Sequence, residues 1–482
     1  MQDRKVVTSN FFWRLLERFG AQGVTFIVSC ALARVLDTKL FGTVALITVI
    51  TSILQVFVDS GLGSALIQKK DADEIDFSTV FYFNFLMCVV LYGALFIASP
   101  WIARFYGQEQ LTPVIRTLGS VLIISGFKNI QNAYVSRNLL FKKYFFATLG
   151  GTVTAAVVGI SMTYLGYGVW ALVAQNLVNQ FIDTVILWVI VKWRPKAAFS
   201  FKRLKGLFSF GWKLLASSLI DTLWTQARQL IIGKKYSTND LAFYNKGQEY
   251  PHLLTNSINA SIDSVLFPVM SKEQESREQV KAITRKAIQV ESYVLWPMMI
   301  GLAVCSESLI CVLITEKWLP SAFYLKIFCV TYAFYPIHVA NLNAIKAIGR
   351  SDIFLKLEIL KKIVGLILLI GSMWISVKAM AYSLLIGSVA SQIINSWPNK
   401  KLLNYSYLDQ IKDILPSLLL SLFMGVIVYF IYYLKLSMLA TLIIQIVVGV
   451  IVYMIGSKLF HISSYEYVLS IVKNFLAKKQ KI

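Results

Sequence analysis

The stretch LFGTVALITVITSILQVFVDSGLGSALI (40–67) holds a single charged residue, Asp59, in 28 positions. About 20 apolar residues in a helix cover the hydrocarbon core of a bilayer, so this run is read as a membrane span. Thirteen more runs of that kind lie near residues 11–36, 77–99, 111–134, 144–165, 167–191, 210–233, 245–270, 287–315, 320–347, 352–375, 377–397, 413–434 and 438–457. They are rich in Leu, Ile, Val and Phe and show no period-2 alternation, which favours a helical bundle over a barrel. The expectation is an all-α polytopic membrane protein of about 14 transmembrane helices.

Composition agrees. The chain is 57% hydrophobic and 15% charged, against about 25% charged in soluble domains. The start, MQDRKVVTSN, is polar and runs into the first span without a small-residue cleavage site, so insertion is expected to rely on the spans themselves. Cys30, Cys88, Cys305, Cys311 and Cys329 all fall in apolar runs with no CxxC spacing, and His252, His338 and His461 form no ligand spacing. No disulfide, metal site or cofactor is expected.

A net charge of +22 invites a nucleic-acid partner, but its distribution argues otherwise. With the N-terminus inside, 29 basic residues fall in inner segments and 11 in outer loops. That bias is the positive-inside rule; it predicts both termini in the cytoplasm and needs no nucleic acid to explain it.

The most basic loop, Lys192 to Lys205, holds six cations, one proline and no acid. It sets six spans before it and eight after. Shifted by 200 residues, 32–42 lies on 232–242, and Gln55, Asp59 and Leu66 lie on Thr255, Asn259 and Leu266; shifted by 211, Asn132-Ala133 lies on Asn343-Ala344. Such a repeat predicts two pseudo-symmetric six-helix lobes related by an axis along the membrane normal. The expected organisation is an N-terminal lobe over 1–195, a C-terminal lobe over 196–400, and two extra helices with a basic tail over 401–482.

Seven basic residues fall within or at the ends of spans: Arg14, Arg18, Lys128, Lys213, Arg228, Lys361 and Lys362. A charge at a helix centre costs about 2.5–3.5 kcal/mol on insertion scales, so such groups normally face an interior or a hydrated cavity. At about 100° per residue, Arg14, Arg18, Gln22, Thr25 and Ser29 share one face of the first span. Thr48, Thr51, Ser52, Gln55 and Asp59 do so on the second, and Asn176, Asn179, Gln180 and Asp183 on the sixth. The seventh carries Lys213, Ser217, Asp221, Thr225 and Arg228; the eighth carries Asn245, His252, Thr255, Asn256, Asn259 and Asp263. These stripes predict a polar cavity between the halves. The same residues also suit interhelical hydrogen bonding or snorkelling to water. Glu17, Asp59, Asp183, Asp221, Glu249, Asp263, Glu291 and Glu358 are candidate ion-coupling acids, and His252 and His338 candidate titrating groups. Pro251, Pro268, Pro297 and Pro336 are expected to kink their helices. Gly61-Leu62-Gly63 is read as close packing inside a helix. Walker A, GxSxG and HExxH motifs are missing from the sequence.

RLLERFGAQGVTFIVSCALARVLDTKLFG (14–42) followed by FVDSGLGSALIQKKDADEIDFSTVFYFN (57–84) resembles the Wzx-type polysaccharide exporters, in the colanic-acid/teichuronic-acid exporter branch of the multidrug/oligosaccharidyl-lipid/polysaccharide (MOP) superfamily. The likeness reappears in STNDLAFYNKGQ (237–248), NSINASIDSVLFPVMSK (256–272) and NAIKAIGRSD (343–352), and weakens after residue 400. It implies two six-helix lobes plus two helices in a bacterial inner membrane. It further implies flipping of undecaprenyl-diphosphate-linked oligosaccharide by alternating access, with coupling to protons or sodium and, as partners, a polysaccharide polymerase and chain-length proteins. Basic cavity residues then handle diphosphate and acidic sugar: Arg14 and Arg18 by the motif, Lys213 and Arg228 by the stripe. Gln22, Gln55, Asp59, Asp221, His252, Asn256, Asn259 and Asp263 line the cavity or couple an ion. Three alternatives stay open: a peptidoglycan lipid-precursor flippase, a multidrug cation antiporter of the same superfamily, and a membrane-embedded sugar polymerase or ligase. The basic stripes count against the antiporter, and the short outward loops near 100–111 and 233–245 against the enzyme.

Overall fold

The computed structural model describes residues 20–470 apart from 21, 60, 70 and 139. Contacts divide the chain into two compact units, one ending at Ala242 and one beginning at Phe243. The first holds α1 (Gln22–Val35), α2 (Thr38–Asp59), α3 (Leu62–Gln68), α4 (Glu74–Phe105), α5 (Leu111–Gly119), α6 (Val121–Arg137), α7 (Phe141–Tyr164), α8 (Val169–Ile190) and α9 (Phe201–Lys235). The second holds most of α10 (Thr238–Lys272), then α11 (Arg277–Val304), α12 (Ser306–Ile314), α13 (Pro320–Ala333), α14 (Tyr335–Ala347), α15 (Ser351–Ser372), α16 (Val377–Leu402), α17 (Tyr407–Ile431) and α18 (Met438–Leu459). The described residues contain no strand.

Ten spans among the described residues are long and apolar enough to cross a bilayer, counting α2–α3, α5–α6 and α13–α14 as one broken span each. Adding α1, a shorter apolar helix, and the charge-bearing rods α9, α10 and α15 accounts for fourteen. The repeat shows in the helix boundaries. α1 ends at Val35 and α2 starts at Thr38; α9 ends at Lys235 and α10 starts at Thr238. The two turns meet inside the first unit: Thr38 Oγ1 donates to Asn239 Oδ1 at 3.0 Å. A Cβ on Gly42 would lie 1.8 Å from the Thr238 carbonyl oxygen, so no side chain fits there.

Gly61 corrects one expectation. It sits between α2 and α3 at φ 65°, and a Cβ on it would come within 2.4 Å of the Gly211 carbonyl oxygen. The glycine breaks the span; it is not packed within one helix. Pro251, Pro268 and Pro297 lie inside continuous helices, while Pro336 opens α14.

In the first unit, α7 crosses α8 on a stripe of small residues four apart: Ala147, Gly151, Ala155 and Gly159, all buried. A Cβ at 151 would lie 2.8 Å from Asn179 O and 2.9 Å from Asp183 Cβ, and one at 159 would lie 3.0 Å from Gln175 Cβ. With hydrocarbon outside, close backbone approach of this kind is a main source of helix association. The basic stretch after α8 is pinned and not a free tether. Lys196 N donates to Ser78 Oγ (2.9 Å), Ser200 N to Thr79 Oγ1 (3.1 Å) and Gln131 Nε2 to the Trp193 carbonyl (3.1 Å). Trp193 packs in a core with Phe77, Phe81 and Tyr134. Asp73 caps α4, accepting from Ile75 N and Asp76 N. The Arg203 guanidinium beside it, together with those N–H groups, holds its carboxyl down at about 2.

In the second unit α17 packs on α11 and pairs with α18. Two polar clusters fix α17, the second of them fully buried. Asp413 accepts from Arg285 Nη2 (2.6 Å), Gln289 Nε2 (3.1 Å) and Tyr405 Oη (2.7 Å). Asn341 on α14 donates to Gln410 Oε1 (2.7 Å) and accepts from Asn399 Nδ2 (2.6 Å). A polar side chain in hydrocarbon demands a partner, so these clusters fix the register of α17 against its neighbours.

Candidate functional site

The first unit has an open cavity of about 330 Å³ between α2, α6 and α8. Its polar wall consists of Thr48, Thr51, Ser52 and Gln55 from α2, Ser125, Lys128, Asn129 and Asn132 from α6, and Asn176 and Gln180 from α8. The expected stripes of the second and sixth spans therefore converge.

Hydrogen-bond direction defines what this wall offers. Thr48 Oγ1 donates to Val44 O (2.9 Å), Thr51 Oγ1 to Ile47 O (3.1 Å) and Ser52 Oγ to Val49 O (2.8 Å). Asn176 Nδ2 donates to Leu172 O (2.9 Å). Each group spends a donor on its own helix and keeps acceptor lone pairs. Lys128, the cation of this wall, is matched: Nζ lies 2.5 Å from Asp183 Oδ2 and 3.2 Å from Gln180 Oε1. The α2 face of the cavity is thus rich in acceptors, and the wall is close to electrically neutral. It suits a ligand that brings many O–H donors.

The second unit has a cavity of similar size, about 330 Å³, lined by Tyr335, His338, Asn343 and Lys346 from α14 and Glu358 and Lys361 from α15. Asn132 and Asn343, the pair related by the 211-residue shift, line the two cavities. Lys361 Nζ pairs with Glu358 Oε1 at 2.6 Å, and Lys346 lies over the Phe267 and Phe354 rings. A separate apolar groove of about 510 Å³ runs between α11, α17 and α18, walled by Pro297, Met298, Leu302, Met424, Val450 and Met454 among others.

Of the residues expected at a site, Gln55 lines the first cavity and Gln22 is half-buried on α1. His252 and Asn256 form a pair on one face of α10, 3.1 Å between Nε2 and Nδ2. Asn259 is buried with neither amide atom hydrogen-bonded. Lys213 and Asp221 are exposed on α9, while Arg228 is buried and engaged; none of the three lines the first cavity. Arg14 and Arg18, and the side chains of Asp59 and Asp263, lie outside the described residues. Sequence reasoning placed Lys128 among the intramembrane cations and Asp183 among the acids without joining them. Their pairing across 55 residues depends on how close α7 lets α8 come, which no helical wheel shows.

A family model described as "Polysaccharide biosynthesis protein" matches residues 31–323. The chain is 24% identical over 314 residues to the succinoglycan biosynthesis transport protein ExoT of Rhizobium meliloti (strain 1021), a match spanning 65% of this chain and 64% of that one. It is 25% identical over 448 residues to the lipopolysaccharide biosynthesis protein WzxC of Escherichia coli (strain K12), covering 89% of each. Among solved structures, the lipid II flippase MurJ in an inward closed conformation superposes with a TM-score of 0.73 at 16% identity, over 95% of this chain and 98% of that one. That likeness shows the fold.

Proposed function

The chain belongs to the polysaccharide biosynthesis protein family, and from that premise we propose that it flips undecaprenyl-diphosphate-linked oligosaccharide repeats across the bacterial inner membrane. Movement is from the inner to the outer leaflet by alternating access, with both termini in the cytoplasm, and serves O-antigen, capsule or exopolysaccharide assembly. The observation that carries this reading is the acceptor-lined, near-neutral cavity of the first unit. A glycan is a dense array of hydroxyl donors, and the back-bonded hydroxyls and amides of α2 and α8 present matching lone pairs. The apolar groove of the second unit supplies a lipid-like surface for a polyprenyl tail. Relatives named for succinoglycan transport and lipopolysaccharide biosynthesis point to the same substrate class.

A cation antiporter needs a carboxylate open to its substrate; Asp183, beside the first cavity, is held by Lys128. The test is reconstitution in liposomes with labelled lipid-linked glycan, reading exposure of the headgroup on the far leaflet. Headgroup transfer is expected in the wild type and impaired by Arg14→Ala and Arg18→Ala, with the protein still folded and in the membrane. Failure with every diphosphate-linked glycan, alongside transport of a cationic dye, refutes the reading.

A further inference from the structure

The α14–α16 contact of the second unit holds a histidine in a setting built for two protonation states. His338 lines the cavity, and Asn395 Nδ2 lies 2.8 Å from its Nδ1. In the neutral ring Nδ1 accepts from that amide. The ring also has the Ser388 backbone as a hydrogen-bond partner. Asn395 is fully buried, and its carboxamide oxygen accepts no hydrogen bond. A half-turn of the amide presents that oxygen to the ring, and it then accepts from Nδ1–H of an imidazolium. The amide nitrogen exchanges one partner for none, so one orphan atom replaces another and the turn is nearly balanced.

The surrounding charges decide when the proton arrives. α14 supplies Tyr335 and Lys346, and α15 supplies Glu358 and Lys361. α11 carries Glu291 and α13 carries Tyr332, and the facing turns of α16 from Ser388 to Asn395 hold no ionisable side chain. Lys346 and Lys361 against Glu358 leave the lining with one net positive charge. An anion held against Lys346 and Lys361 would stand beside the ring and favour a cation there.

We propose that this cavity takes up an oxyanion and a proton together, the anion against Lys346 and Lys361 and the proton on His338, with Asn395 turning to follow it. The anion is a diphosphate diester or a sugar carboxylate, a choice that rests on the flippase reading above; the site itself is tested by binding alone, so a failure of transport leaves it standing.

The experiment is calorimetric titration of the purified full chain with dimethyl diphosphate (one methyl on each phosphate) and, separately, glucuronate, neither of which titrates between about pH 5.5 and 7.5. Running each in buffers of different ionisation heat counts the protons. The wild type is expected to take up one proton per anion, with Kd falling about tenfold for each unit of pH lowered. His338→Gln keeps an amide for Asn395 and is expected to bind without proton uptake and without pH dependence. Asn395→Asp, which holds the imidazolium permanently, is expected to bind without uptake as well. Lys361→Gln should weaken binding at least tenfold at every pH. Tighter binding of the diphosphate assigns the cavity to the lipid linkage, and tighter binding of glucuronate to an acidic sugar. Binding of neither anion, anion binding without a proton in the wild type, or uptake persisting in His338→Gln overturns the proposal.

Discussion

Replacing Lys128 by Met strands the Asp183 carboxylate. Its side chain is 3% exposed, Oδ2 is held by Lys128 Nζ at 2.5 Å, and Oδ1 accepts no hydrogen bond. Buried ion pairs broken from one side cost about 3–5 kcal/mol. Asp183→Leu is milder, at about 1–3 kcal/mol, because Lys128 keeps Gln180 Oε1 at 3.2 Å and is 13% exposed. In Lys128→Met/Asp183→Leu neither charge remains, and apolar replacement of a buried pair is often neutral, so the double variant should recover most of the stability. Reversible unfolding in mixed micelles gives the cycle, with an expected coupling of about 3 kcal/mol. Single variants within about 0.5 kcal/mol of wild type, or a double variant as unstable as the sum of the two, would refute the pairing. The refolded double variant also separates folding from transport. It lacks only a cation already spent on Asp183 and keeps the acceptors of α2, so it should export at close to the wild-type rate.

Three further outcomes are expected. Gly151→Ala places a Cβ 2.8 Å from Asn179 O and should destabilise the α7–α8 crossing by about 1–3 kcal/mol, whereas Gly93→Ala, with nothing within 4 Å, should be neutral or slightly stabilising in the same unfolding assay. Asp73→Ala removes the α4 cap and should cost about 0.5–2 kcal/mol. Because the Asp73 carboxyl is held at about 2 in the folded chain, below its ordinary 3.8, its contribution is complete above about pH 4 and fades as pH falls toward 2. The stability gap between wild type and Asp73→Ala should close over that range, and a gap unchanged in acid would contradict the Arg203 contact. Asn341→Leu orphans Gln410 and Asn399 and should cost about 3 kcal/mol, seen as earlier protease cleavage between α16 and α17.

Spacing along single helices made the stripes of α2 and α8 legible, since Thr48, Thr51, Ser52 and Gln55 are fixed by 3.6-residue geometry alone. The repeat was legible too, at Val35/Thr38 and Lys235/Thr238, because both turns carry a related local pattern. What sequence periodicity could not carry is register between helices. Lys128 meets Asp183, and His338 meets Asn395, only because small residues and buried amides set the depth and rotation of each crossing. The break at Gly61 was hidden for a different reason: an apolar run looks continuous whether or not one residue in it is left-handed.

That difference bears on how a membrane cavity is read. Counting cations in spans points to an anion-handling interior, yet Lys128 and Lys361 are already matched by Asp183 and Glu358. A cavity presents to its ligand what is left after internal pairing. On the α2 face of the first cavity what remains is acceptor lone pairs, since each donor of Thr48, Thr51 and Ser52 is spent on a backbone carbonyl. In the second the residue is one unmatched positive charge beside a ring that can hold a proton. A substrate joining a hydroxyl-rich glycan to an anionic linkage has chemistry for both. Substitutions at Thr48, Thr51 and Ser52 should therefore discriminate among glycans, and substitutions at Lys346 and Lys361 among anions.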